Sequence, residues 1–113
     1  WQVIVDHIMG QGIDGVVTVS GDIHRGEVRR IHPASDSAYA LWEFTSSPLG
    51  NSTSSCPDAE AEPDELLFCG QIVNYGMLRF DTTAADPSVT FELITIDNTV
   101  LTTHTVNLSD LTL

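Results

Sequence analysis

The sequence predicts a mixed α/β fold with an antiparallel finish, and three observations predict it. Apolar residues at helical spacing open the chain. A short β-branched run follows a glycine turn. The last third alternates apolar and polar residues with period two.

Trp1, Ile4, Val5 and Ile8 share one face of a helix, and Gly10-Gln11-Gly12 ends it. Gly15-Val16-Val17-Thr18-Val19-Ser20 has the composition of a strand covered on both faces. It stops at Gly21, so helix, turn, buried strand and polar loop read as the end of an αβ unit. Active sites of layered α/β folds gather at such strand ends. Glu27 to Ile31 reads as a short extended piece, and Tyr39 to Thr45, rich in bulky residues, as a strand. Residues 46–65 form a long loop dense in Ser, Pro, Asp and Glu. Loops of that length inside compact domains are functional, stapled or disordered. Tyr75 to Thr82 is a strand. In Ser88 to Ile96, Val89, Phe91, Leu93 and Thr95 take one side, and Thr90, Glu92, Ile94 and Ile96 the other. Asp97-Asn98 is a two-residue turn candidate, and Thr99 to Val106 the partner strand.

Composition bounds the function. The chain has 113 residues, one small domain or a piece of a larger one, and 42% are hydrophobic, enough for a core. A unit of this size buries about two-thirds of its extended surface. Its start at Trp1-Gln2-Val3, read as mid-element, predicts a cut or processed product whose N-terminal part lies elsewhere. Sixteen acids face four basic residues, all arginine, for a formal charge of −12. That charge repels nucleic acid and anionic membranes, so no nucleic-acid-binding surface and no membrane partner are expected. No stretch reaches the ~18 apolar residues of a membrane span, and no signal peptide is visible.

Cys56 and Cys69 are the only cysteines, and Asn51-Ser52-Thr53 and Asn107-Leu108-Ser109 are glycosylation sequons. Together they point to an oxidising, secreted compartment, extracellular or periplasmic, with a Cys56–Cys69 disulfide. Closing a loop of about 14 residues contributes about 3 kcal/mol in the chain-entropy picture. The alternative is a pair of buried thiols and unused sequons.

The residues with chemistry cluster in Ser20-Gly21-Asp22-Ile23-His24, where the buried strand ends. In an extended loop, positions two apart project to the same side. A carboxylate and an imidazole so placed can reach one ion or two neighbouring ions, and borderline transition metals accept both. The motif is short, and a turn-capping Asp beside a solvated His fits it as well. Arg25 follows directly and can hold a phosphate oxygen through its guanidinium fork; pairing with Glu27 is the competing role. Glu43 sits among bulky apolar residues, with a backbone or arginine partner or a place behind His24. Asn74 reads as a turn or strand-start residue, His7, His32 and His104 as ordinary histidines, and Trp1 and Trp42 as core.

Val16-Val17-Thr18-Val19-Ser20-Gly21-Asp22-Ile23-His24 resembles the final metal motif of PhoD-like alkaline phosphatases, a branch of the calcineurin-like metallophosphoesterases. Leu41-Trp42-Glu43-Phe44-Thr45-Ser46-Ser47-Pro48-Leu49 is similar to the family's E-x-T-S-S-x-L segment. Val73-Asn74-Tyr75-Gly76-Met77-Leu78-Arg79-Phe80-Asp81 is similar to its N-[FY]-G strand. The closing hairpin through Val106-Asn107-Leu108-Ser109-Asp110-Leu111 resembles its C-terminus. The likeness runs through nearly the whole chain in order. It implies that residues 1–113 are the C-terminal segment of a four-layer α/β/β/α sandwich that hydrolyses phosphate mono- or diesters with metal-activated water. The wider superfamily has G-H-x-H here, each His on one of two metals; Asp22 stands at the first position and His24 at the second. Asp22 and His24 are then the metal-binding and catalytic residues, and Arg25 a substrate contact. The resemblance implies two metal ions, iron with calcium, although nothing in the sequence selects them. Two metals about 3.5–4 Å apart suit activation of water and clamping of phosphoryl oxygens.

The superfamily's earlier motifs, D-x-H, G-D-x-x-D and G-N-H-[DE], do not occur. The remaining ligands belong to the missing N-terminal part, which is the expected partner beside a phosphate ester substrate. Two other readings stay open: an extracellular structural or filament-forming subunit with free sheet edges, and a small calcium-binding β domain, for which no D-x-[DN]-x-[DN]-G loop is present. The enzyme reading predicts that isolated residues 1–113 show no turnover of a chromogenic phosphate ester with any divalent or ferric ion added. Measurable hydrolysis contradicts it.

Overall fold

A computed structural model describes residues 2–31, 39–58 and 65–112. The fold is mixed α/β: among the described residues there is one helix, then seven strands in two sheets. Helix α1 (Gln2–Gly10) precedes β1 (Val17–Ser20), β2 (Gly26–Ile31), β3 (Leu41–Thr45) and β4 (Leu66–Gly70). These strands form one sheet in the order β1-β3-β2-β4, with β1 parallel to β3 and the other neighbours antiparallel. Strands β5 (Asn74–Asp81), β6 (Ser88–Thr95) and β7 (Val100–Asn107) form an antiparallel meander, and a 3₁₀ turn, Leu108–Leu111, closes the chain.

Period-two alternation decides which faces meet. Val89, Phe91, Leu93 and Thr95 of β6 are all buried, as their spacing predicts. Across the gap, Val28 and Phe44 are fully buried in the same core. The Phe44 and Phe91 rings stack at 4.7 Å between centroids, an arrangement worth about 0.5–1.5 kcal/mol beyond area burial. Val5 and Ile8 bring α1 into the cluster, and Leu111 brings the closing turn. Residues Trp1 and His32 lie outside the described set.

Three elements differ from the sequence reading. β4 forms at Leu66–Gly70, where that reading placed no strand. β1 is not covered on both faces: it lies at the sheet's edge among the described residues, and Val19 is 59% exposed. A β-branched run records strand propensity, whereas burial depends on how many neighbours the topology supplies. The β6–β7 connection is longer than two residues: Thr95 and Thr99 form the closing hydrogen-bonded pair and enclose three residues, 96–98. The Asn98 amide donates to the Thr95 carbonyl, the Thr95 amide to the Thr99 carbonyl, and Asn98 has φ 65°. A turn followed by one left-handed residue is the usual three-residue hairpin solution.

The sheets approach closely where Gly26 opposes β6. A Cβ at position 26 lies 2.3 Å from Leu93 Cδ2 and 2.8 Å from its Cδ1. Leu93 is fully buried and has little room to yield. Gly26→Ala is therefore expected to lower stability by about 1–3 kcal/mol in urea unfolding. Gly10→Ala, where a Cβ meets nothing within 4 Å, is the control and is expected to be neutral or slightly stabilising.

Candidate functional site

The strands β1, β3, β2 and β4 carry a row of paired residues, Ser20, Thr45, Glu27 and Cys69, across the sheet. Paired residues share a face, and Glu27 alternates with Gly26 and Val28, which face the second sheet. The row therefore lies on the opposite face. Its members are joined: the Ser20 and Thr45 hydroxyls are 2.6 Å apart, and the Cys56–Cys69 disulfide is formed. That bond ties the polar loop beside the row. Thr45 and Glu27 are each only 2% exposed, so this end of the sheet is polar and covered.

Gly21 to Arg25 leave the end of β1. The loop is not extended, as the spacing argument assumed. The Ile23 amide donates to the Gly21 carbonyl at 2.9 Å, and Asp22 between them has φ 69°. That is a γ-turn with a positive central φ, a strained form. His24 is also left-handed, with φ 61°. Each such residue costs on the order of 1–3 kcal/mol, and such outliers concentrate at functional sites. The loop is pinned on both sides. The His24 amide donates to Ser47 Oγ at 3.3 Å, and its carbonyl accepts the Ser54 amide at 2.8 Å. Asp22 is exposed and His24 half-buried. Among the described residues, neither the Asp22 carboxylate nor the His24 imidazole has a hydrogen-bond or ion-pair partner.

Arg25 takes the competing role named for it: its Nε donates to Glu27 Oε1 at 2.5 Å. Arg29 Nε donates to Glu27 Oε2 at 2.6 Å. Burial raises the Glu27 carboxyl, but hydrogen bonds from Arg29 and Arg25, and then their charges, outweigh it and hold it below its ordinary value of 4.5.

Ser47, which receives the His24 amide, is itself held by Asn74. Asn74 Nδ2 donates to the Ser47 carbonyl at 2.7 Å, and its Oδ1 accepts the Ser47 amide at 3.1 Å. Asn74 is 1% exposed, so it clamps the chain after β3, around the cis Ser47–Pro48 bond, to the start of β5. A buried amide on a strand's first residue gives no sequence signal beyond its position before Tyr75-Gly76. Glu43 is half-buried and pairs in register with Thr18 and Arg29. Trp42 packs at the core's margin, 6.3 Å from the His104 ring, and His7 is exposed on α1. Of the sequon residues, Asn51 is exposed in the polar loop and Asn107 half-buried at the end of β7. An apolar groove lined by Val17, Phe80, Pro87, Val106, Leu108 and Leu111 contains none of the predicted site residues.

No protein-family model, curated protein or solved structure matches the chain.

Among the described residues no three His, Cys, Asp or Glu side chains converge. The donor set at the loop is one carboxylate and one imidazole, both unengaged, a combination that suits a borderline cation as part of a larger shell.

The Glu27 ion pairs set an acid limit. A carboxyl held low in the folded state contributes stability that is complete above its unfolded value and lost as pH falls through its folded value. Wild-type stability is expected to fall as pH drops below 4.5, when unfolding free energy is measured against pH. Glu27→Gln is expected to flatten that limb. Its neutral-pH loss stays below the ~3–5 kcal/mol of a fully buried broken pair, because the arginine side chains are 22% and 18% exposed.

Proposed function

We propose that residues 1–113 are the C-terminal part of a secreted PhoD-like metallophosphoesterase, an α/β/β/α sandwich when complete, that hydrolyses phosphate esters. The observation that carries this reading is the strained Asp22–His24 loop, with two unengaged metal-type donors at the end of a parallel strand. In this reading Asp22 and His24 hold metal, and the N-terminal part contributes the other ligands. Two metal ions, iron and calcium in the branch the sequence resembles, supply polarisation of water and charge neutralisation at the phosphoryl oxygens. The chain's own residues position that chemistry: Ser47 and Ser54 fix the His24 backbone, and Arg25 stands next in the chain to meet a substrate oxygen. The disulfide and two sequons support secretion. The open edge of β1, with Val19 at 59% exposure and Val3 and Ile4 of α1 at 80% and 57%, supports further polypeptide packing there.

Asp22→Ala and His24→Ala in the complete polypeptide are each expected to lower ester turnover by about 100-fold or more and to reduce bound metal measured by elemental analysis. Unchanged metal content and turnover in both variants contradict the reading. Loss of metal binding from variants that fold normally, with no hydrolysis by the parent protein, favours a structural metal in an assembly subunit.

A further inference from the structure

The strained loop is closed into a ring made of backbone, sheet pairing, a disulfide and a hydrogen bond. His24 lies three residues before Glu27. Glu27 pairs in register with Cys69 across β2 and β4. Cys69 is bonded to Cys56, two residues after Ser54. The Ser54 amide donates to the His24 carbonyl at 2.8 Å and completes the circuit. Among the described residues this is the one hydrogen bond that residues 49–56 make to the rest of the protein. On one side of Ser54 the segment is tied at Pro48, whose carbonyl accepts the Asn74 amide. On the other side its first tie is the disulfide. Asp58 beyond it is also engaged, so opening the disulfide lengthens the free segment without releasing it.

We infer that the Cys56–Cys69 bond gates the Asp22–His24 loop: oxidation of the two thiols fixes the loop and reduction loosens it. For its consequence the inference rests on the proposed metal role of Asp22 and His24, and it adds a control over that site. His24 holds φ 61°, a conformation kept only while its surroundings over-determine it. Ser47 holds the His24 amide, and Ser54 holds the carbonyl. A longer free segment raises the entropic cost of keeping Ser54 in place. With the carbonyl released, His24 relaxes and its imidazole loses its fixed origin. Cys56 is exposed and Cys69 half-buried, so a protein or small-molecule disulfide meets Cys56 first. The Cys56 thiolate attacks one sulfur of that partner, whose other sulfur leaves as a thiolate. The Cys69 thiolate then displaces the partner from the mixed disulfide. Two electrons and two protons pass to the partner, which departs as a dithiol. The reverse exchange with an external dithiol opens the bond. A chain in a reducing compartment therefore holds its metal donors loosely, and export to an oxidising one fixes them.

The test compares the complete polypeptide with its Cys56→Ser/Cys69→Ser variant. Manganese(II) is the metal probe, because thiolates select softer ions. Hydrogen exchange is read segment by segment by mass spectrometry. The variant is expected to exchange at least about threefold faster around Ser54 and His24, with β6 unchanged. Manganese is expected to bind it about tenfold more weakly than oxidised wild type, the scale on which loss of a positioning contact weakens a metal site. Ser54→Pro removes the amide donor but keeps the disulfide, and is expected to weaken manganese binding to the same extent. If the double serine variant fails to fold, wild type opened with a dithiol and then freed of it by desalting takes its place. Faster exchange spread equally over β6, or equal manganese affinity in the closed and open forms, overturns the gate. Local acceleration with no manganese bound by either form supports the gate and overturns the metal reading alone.

Discussion

The two sheets can pack only because side chains are missing where they come closest. Gly26 leaves the space that Leu93 occupies, and Gly76 leaves the space taken by the Phe91 ring and Ser46. Phe44 and Phe91 then stack in the gap. This approach assigns the faces of β2 and β3. Gly26, Val28 and Phe44 must turn toward the second sheet, so Glu27 and Thr45, one position away, must turn from it. The polar row at the strand ends is thus a by-product of the apolar packing; Arg29 comes to Glu27 by the same alternation, and Arg25 reaches it from the loop just before β2. A shift of one residue in the β2 register would put a carboxylate against Leu93 and a valine among the polar loops.

Much of this was legible in the sequence, and the failures share a cause. The β6 alternation identified Val89, Phe91, Leu93 and Thr95 as buried because both neighbours in its sheet lie within the chain; Ile94, beside a register shift, is buried as well. Cys56 and Cys69 were readable as a pair because no other cysteines compete. β1 looked buried because its composition reports propensity, whereas its exposure depends on which strand lies beyond it. The spacing of Asp22 and His24 singled out a loop but not its shape. The rule that alternate residues share a side holds for extended backbone, and two positive φ angles break it. Asn74 was underrated for a related reason. Its importance comes from the Ser47 segment, 27 positions earlier, and local pattern carries no information about a partner that distant.

Strain at Asp22 and His24 persists only if the surroundings over-determine the loop. They do so through a relay. Asn74 fixes Ser47, Ser47 receives the His24 amide, and Ser54 donates to the His24 carbonyl. Ser54 lies two residues before Cys56, and the disulfide binds that segment to β4. The disulfide therefore does more than restrict the unfolded chain: it keeps one of the two clamps on the His24 backbone in place. Because the clamps act on backbone groups, both candidate donor side chains remain unengaged.

Electrostatics adds a constraint that the overall charge obscures. A −12 chain opposes any anion at long range, but screening confines that field to about 8–10 Å at physiological salt. Within that distance local charge dominates, and three of the four cations lie on or beside β2. Glu27 neutralises part of that charge and removes one donor from each of Arg25 and Arg29. A carboxylate pairing with a single arginine would have held one side chain. Sharing it between two holds both at the sheet end, beside a loop whose carboxylate and imidazole are uncommitted. Attraction of a phosphate and retention of a cation are opposing demands on one surface. In the proposed reading they fall to different residues, Arg25 and the donors of the strained loop.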